Sequence, residues 1–147
     1  MRVLLAIDES DFSAAAIREV ESRLVFPEIV IRVLHVVWTF VPPAASILDA
    51  DGSLEGVKEN VLERHQDLVD GIAERLKSSG ISAEGVVREG KPGKTIVKEA
   101  EEWSADLIVL GAHGLTGLES LVMGNVARYV VDHAPCSVEV VRPRKGS

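Results

Sequence analysis

Short, almost unbroken apolar runs alternate along this chain with longer stretches whose apolar residues recur every three or four positions. The first run, RVLLAID, is aliphatic nearly from end to end, the pattern of a strand buried on both faces. ESDFSAAAIREVESRL follows, with Ile17, Val20 and Leu24 at helical spacing and either Ser10 or Asp11 placed to cap the first turn. IVIRVLHVV is a second strand, dense in β-branched residues. WTFVPPAASILDADGS then interrupts the pattern with Pro-Pro and Asp-Gly pairs that mark a loop. Leu54, Val57, Val61, Leu68, Ile72 and Leu76 predict one stripe of a long helix that stops at SSG. His65 falls in that stripe and is expected at the edge of the core. SAEGVVREG reads as a third strand, and KPGKTIVKEAEEWSA as a third helix with Pro92 near its start. DLIVLGA is a fourth strand, a turn and a helix ending near DHAP come next, and CSVEVVRP is the fifth strand.

Strands that alternate with helices require right-handed crossovers, which place helices on both faces of a parallel sheet. The expectation is one α/β domain over residues 1–147: a doubly wound five-stranded parallel sheet in the order 3-2-1-4-5. No internal repeat or linker interrupts it. In such a sheet ligands bind beyond the carboxyl ends of the strands, where the strand order reverses. That crevice lies between the first and fourth strands, which deliver Asp8 and Gly111 to it.

Gly111, Gly114 and Gly124 cluster at the same place. Glycine permits a positive φ and lets another group approach the main chain, and backbone N–H groups in such a turn, with a helix N-terminus behind them, form an anion site. Gly111 and Gly114 could instead serve only a tight turn. Gly124 either sits inside a helix, at a cost of about 1 kcal/mol relative to alanine, or marks where the helix begins. His113 either touches an anion or caps the turn.

Composition narrows the ligand. A net charge of -7 argues against nucleic acid and anionic membrane surfaces as partners, while leaving room for a pocket that takes one small anion. No apolar run approaches the length that crosses a bilayer, and the one at the start is too short for a signal peptide, so the expected location is cytoplasmic. The lone Cys136 permits no internal disulfide and is expected to be an inert packing residue. No His/Cys spacing suits a metal held by the protein alone. His35 and His133 are expected to be structural. Ser10 and Ser13 have no base nearby in sequence, so no nucleophilic triad is legible.

The run GAHGLTGLESLVMGN resembles the G-x2-G-x9-G-(S/T) phosphate-binding signature of the universal stress protein family. VLLAIDESDFSAAAI, VLHVV, EGKPGKTIVKEAEEWSADLIVLGAHG and HAPCSVEVVR are similar to other parts of that family, so the resemblance spans nearly the whole chain. It implies a small α/β protein, commonly dimeric, of a kind in which many members bind ATP and others do not. The implied site comprises Ala6 and Asp8 at the first strand, with Asp8 on ribose or adenine, and Val36 meeting adenine through its backbone. Gly111, His113, Gly114, Gly124, Asn125 and Val126 would surround ribose and phosphates, and Mg²⁺ would arrive with the nucleotide. The chain departs from the signature at Asn125, where the pattern has Ser or Thr; a protein-interaction module that takes no nucleotide is the alternative. Without a general base or an arginine finger, any hydrolysis is expected to be slow. A phospho-accepting receiver shares the strand order but is excluded, because the third strand ends VVREG without Asp and the fifth ends VVRP without Lys. As an unpaired edge, residues Ser137 to Arg142 are expected to join two copies in a homodimer, with Val138, Val140 and Val141 in contact.

Overall fold

The computed structural model describes residues 1–38, 53–114 and 123–144, with residues 53–59 as backbone only. The predicted loop after Trp38 and the stretch from 115 to 122 lie outside the described residues. Among the described residues strands and helices alternate: β1 (Arg2–Ile7), α1 (Asp11–Arg23), β2 (Val30–Val37), α2 (Ser53–Ser78), β3 (Ser82–Glu89), α3 (Pro92–Trp103), β4 (Leu107–Gly111), α4 (Asn125–His133) and β5 (Ser137–Val141). The strands form one sheet, β3-β2-β1-β4-β5, with every neighbouring pair parallel. Fold class and strand order are those predicted.

Successive side chains of a strand point to opposite faces, and here each face meets two helices. Val3, Leu5 and Ile7 of β1 join Ile31 and Val33 of β2 beneath α1 and α2. Leu4 and Ala6 join Leu34, Ile108 and Leu110 beneath α3 and α4. β1 is buried on both sides, which is why its sequence lacks the polar alternation of a half-exposed strand.

Local chemistry sets the helix ends. Ser10 caps α1, its Oγ accepting from the Ser13 N–H, which settles the choice between Ser10 and Asp11. Pro92 opens α3 at a position whose N–H would have no helical partner anyway. The stripe predicted for α2 needs correction. Val69, Ala73 and Leu76 carry its burial with Leu68 and Ile72 beside them, whereas Val61 is exposed. Leu54 and Val57 fall outside the described side chains.

One buried charge ties α3 to the sheet. Glu99 is 4% exposed; its carboxylate accepts from Arg32 at 2.9 Å and from Arg88 at 2.9 Å. Arg32 in turn lies over the Trp103 ring, 4.5 Å from its centroid, and reaches Glu84. Removing the carboxylate takes the buried partner from Arg32 and leaves it Glu84, so Glu99→Ala should lower stability by about 1–3 kcal/mol, the cost of leaving buried donors unsatisfied. Glu99→Gln should cost less, because its amide oxygen still accepts. Urea titration of both variants checks this; a loss for Glu99→Ala within ~0.5 kcal/mol of zero, the range of ordinary surface substitutions, would contradict it.

Candidate functional site

The cleft opens at the carboxyl ends of β1 and β4 and has a volume of about 460 Å³, within the range of small-molecule sites. All nine residues expected at the site line it. Ala6 sits in register between Leu34 of β2 and Leu110 of β4, and Val36 lies two residues beyond Leu34 on the same face. With Ile96 and Pro92 of α3 they make an apolar wall. Opposite it stand Asp8, His113, Gly114, Gly124, Asn125 and Val126, which are polar or offer main-chain groups.

Asp8 follows β1 directly and is held by the first turn of α1. Its Oδ1 accepts from Ser13 Oγ and from the Ser10 N–H, each at 2.8 Å, while its own N–H donates to Ser13 Oγ at 2.8 Å. Ser13 is thus missing from the sequence-based site, although it lines the cleft. The only legible signal was its spacing from Asp8 across a helix cap. A carboxylate does lie beside it, but no histidine joins the pair, and no hydrolytic triad results.

The three glycines have a different physical reason from the conformational freedom expected of them. None has a positive φ; the described glycines that do are Gly80 and Gly90. Crowding excludes their side chains instead. A Cβ at 111 would lie 2.6 Å from Phe12 Cβ and 2.8 Å from the Phe12 carbonyl carbon, so Gly111 lets α1 close onto β4. A Cβ at 114 would lie 2.8 Å from Asp8 Oδ2. At 124 it would meet the Ala112 oxygen at 2.9 Å, where the Gly124 N–H donates to that same oxygen at 2.8 Å. Gly124 is the N-cap of α4, not an interior residue, so no mid-helix penalty arises.

α4 therefore begins at the cleft, and the N–H groups of Asn125 and Val126 open its first turn, where no helical carbonyl precedes them. The Asn125 and Val126 side chains are exposed. His113 is 9% exposed, with its ring edge-on to Phe12 at 5.1 Å, and its buried Nε2 has no hydrogen-bond partner among the described residues. No Lys or Arg lines the cleft among the described residues, and none occurs in residues 39–52 or 115–122. Among the described residues, no three His, Cys, Asp or Glu side chains gather to hold a metal ion, and no helix is long and apolar enough to cross a membrane.

The remaining histidines lie off the cleft. His133 Nδ1 lies 2.8 Å from the Tyr129 carbonyl of its own helix, which accepts from it, and its ring stacks on Tyr129. His35 is buried, its Nδ1 is 3.0 Å from the Ile7 carbonyl, and its ring stacks on His65 at 4.3 Å. Burial raises the Cys136 thiol above its ordinary value, with Asp106 adding to the effect.

These features define a doubly wound α/β protein with a cleft at its switch point, lined by apolar side chains, by Asp8 and by the N-terminus of α4. The chain belongs to the universal stress protein family, whose model matches residues 1–142. It is 35% identical over 96 residues to the universal stress protein Sll1388 of Synechocystis sp., an alignment covering 63% of this chain and 62% of that relative. It is 26% identical over 145 residues to the universal stress protein YxiE of Bacillus subtilis, covering 96% and 98%. Among solved structures, that of hypothetical protein MJ0577, from Methanocaldococcus jannaschii, superposes with a TM-score of 0.82 at 23% identity, covering 99% and 97%. An Arabidopsis thaliana family member with AMP bound superposes at 0.66 with 19% identity, covering 99% and 93%. The Archaeoglobus fulgidus universal stress protein in complex with dAMP superposes at 0.64 with 19% identity, covering 97% and 98%. At these identities the structural likeness carries the fold.

The His35–His65 stack yields a pH prediction. Burial lowers the His35 pKa from its ordinary 6.5, and the proximity of His65 lowers it further; the Ile7 carbonyl, Asp8 and Glu9 act the other way without reversing it. The unfolded chain then binds the proton more readily than the folded one, so stability is full above pH 6.5 and falls as pH drops through the folded value. The loss cannot exceed about 1.4 kcal/mol per pH unit for one proton. His35→Asn keeps a donor for the Ile7 carbonyl and removes the titration, so its stability should fall less between pH 7 and 5. Parallel denaturant curves at the two pH values measure this. Equal losses in parent and variant would remove His35 from the account.

Proposed function

We propose that the cleft binds ATP together with its Mg²⁺, and that the chain acts as a nucleotide-responsive stress or signalling module with little or no hydrolysis. One observation carries the reading: apolar side chains, an acceptor carboxylate and an α-helix N-terminus line a single cleft. Val36, Leu34, Ile96 and Pro92 offer a flat apolar surface for a purine, with the Val36 main chain beside it. Asp8 accepts from the nucleoside, and His113, Gly114, Gly124 and the N–H groups of Asn125 and Val126 serve the phosphates. The AMP and dAMP held by family members of the same fold support an adenine nucleotide.

The donor set also speaks to Mg²⁺ and to turnover. No Lys or Arg lines the cleft among the described residues, so a metal brought by the nucleotide would supply the counter-charge. Phosphoryl transfer is accelerated by an arginine or lysine, and none lines the cleft among the described residues, so turnover is expected to be slow. A second reading rests on Asn125, which stands where the family pattern has a hydroxyl: a protein-interaction module without nucleotide.

Calorimetric titration with ATP, ADP and AMP in the presence of Mg²⁺ separates the two. The Asn125 side-chain amide is free to donate to the outer phosphates, a hydrogen bond to a charged group contributing roughly 1.5–3 kcal/mol, or about tenfold to a hundredfold in affinity. Asn125→Ala should weaken ATP by that factor and leave AMP nearly untouched, and Asn125→Ser should bind ATP at least as well as the parent. A parent with no preference for ATP, beside an Asn125→Ser variant that gains one, would favour the second reading.

We further infer a homodimer through the β5 edge, the Ser137 to Arg142 segment, whose main-chain groups face outward on one side of the sheet. Val138 and Val140 are half-buried on the α4 face, whereas Val141 is buried in the opposite core and is withdrawn from the proposed contact. Light scattering on a size-exclusion column should give twice the chain mass at micromolar concentration. A monomer there would overturn the inference.

A further inference from the structure

The first turn of α1 does more to Asp8 than cap a helix. Asp8 Oδ1 receives two hydrogen bonds, from Ser13 Oγ and from the Ser10 N–H, and these fill its acceptor sites. Ser13 Oγ cannot turn away, because it also receives the Asp8 N–H. The hydroxyl is therefore oriented: it accepts from the main chain of Asp8 and donates to the side chain of the same residue. Ser13 is 4% exposed and belongs to the buried face of α1, so water does not compete for it. The result is a closed ring of two hydrogen bonds that sets the carboxylate's rotation.

Asp8 Oδ2 is left over. It carries no hydrogen bond among the described residues, and it lies directly above Gly114, where a Cβ would come within 2.8 Å. One oxygen of the carboxylate is committed to the fold and the other to the cleft. We propose that Ser13 is a positioning residue that locks Asp8 with Oδ2 presented to the ligand, so that this end of the cleft selects an O–H or N–H donor of a nucleoside. This rests on the nucleotide reading of the cleft and deepens it. A fixed acceptor discriminates strongly against a ligand that lacks its donor, because the oxygen would be left unpaired. A freely turning carboxylate recovers its hydrogen bonds from water or from Ser10 and discriminates little.

The donor has two chemical sources, the ribose 2′-hydroxyl and the exocyclic amine of adenine. ATP, 2′-deoxy-ATP and ITP tell them apart, since the second lacks the hydroxyl and the third lacks the amine. In the parent, one of the two analogues should bind about tenfold more weakly than ATP. Ser13→Ala, confirmed folded by circular dichroism, should bring that ratio close to one while preserving the preference for ATP over adenosine. A loss that is merely structural would weaken all three nucleotides alike. A second measurement needs no nucleotide: exchange of the Asp8 amide hydrogen, slow in the parent because Ser13 accepts it, should accelerate at least about tenfold in Ser13→Ala, with the β1 amide of Leu5 unchanged. Accelerated exchange in a protein that binds no nucleotide would sustain the lock and remove the nucleotide reading. An analogue ratio that survives in Ser13→Ala, or an unaltered Asp8 amide, would overturn the lock while leaving nucleotide binding in place.

Discussion

Everything at the site depends on the reversal of strand order between β1 and β4. Parallel strands must be joined by crossovers of one hand, so a chain that builds outward from β1 in two directions must send its helices to opposite faces. α1 leaves β1 for one face, and α4 follows β4 on the other. The two helices therefore diverge from the ends of β1 and β4. The cleft is the space this geometry leaves. Its acid comes from the loop after β1 and its main-chain donors from the loop after β4, two segments about a hundred residues apart in the chain.

The divergence alone would give a wide, wet notch; the glycines narrow it. Gly111 lets the first turn of α1 rest against the end of β4, with Phe12 filling the place of the missing side chain. Gly124 brings the start of α4 onto the Ala112 carbonyl. Gly114 leaves room for the Asp8 carboxylate. Each is a contact between segments, so the three are linked: a side chain at any one would lever apart the walls that the other two hold. His113 stands among them, its Nε2 buried and without a partner among the described residues.

The sequence disclosed the architecture because strands buried on both faces and helices with one apolar stripe have distinct periodicities. β1 and β4 read as strands for the same reason that they lie at the centre. The start of α2 misled, since Val61 matches the helical period yet faces outward, and periodicity does not tell which turn of a long helix reaches the sheet. The strand ends, and hence Asp8 and the glycine turn, followed from topology alone. What the glycines are for did not. Sequence shows only that a Cβ is absent, and whether backbone strain or a neighbour forbids it is a question of tertiary distance. Ser13 escaped for a related reason, because its partner lies across a turn whose hydrogen bonds are visible only once folded.

The electrostatics of the cleft run against those of a simple anion trap. The chain carries a net charge of -7, and the cleft holds Asp8 without any lining Lys or Arg among the described residues. A phosphate ligand would therefore gain little from long-range attraction, which needs a patch of opposite sign. Its hold would come from N–H dipoles at the start of α4, which act at contact and fade within a turn. This makes position decisive. The carboxylate that welcomes an O–H or N–H donor at one end repels a phosphate there, and the helix terminus that welcomes a phosphate offers no acceptor to the nucleoside. Under the proposed reading the two ends would reject each other's ligand group, so a nucleotide would take one orientation, with its base against Val36 and Ile96. Selectivity of this kind asks only for a carboxylate that cannot turn and a helix that starts where the strand ends.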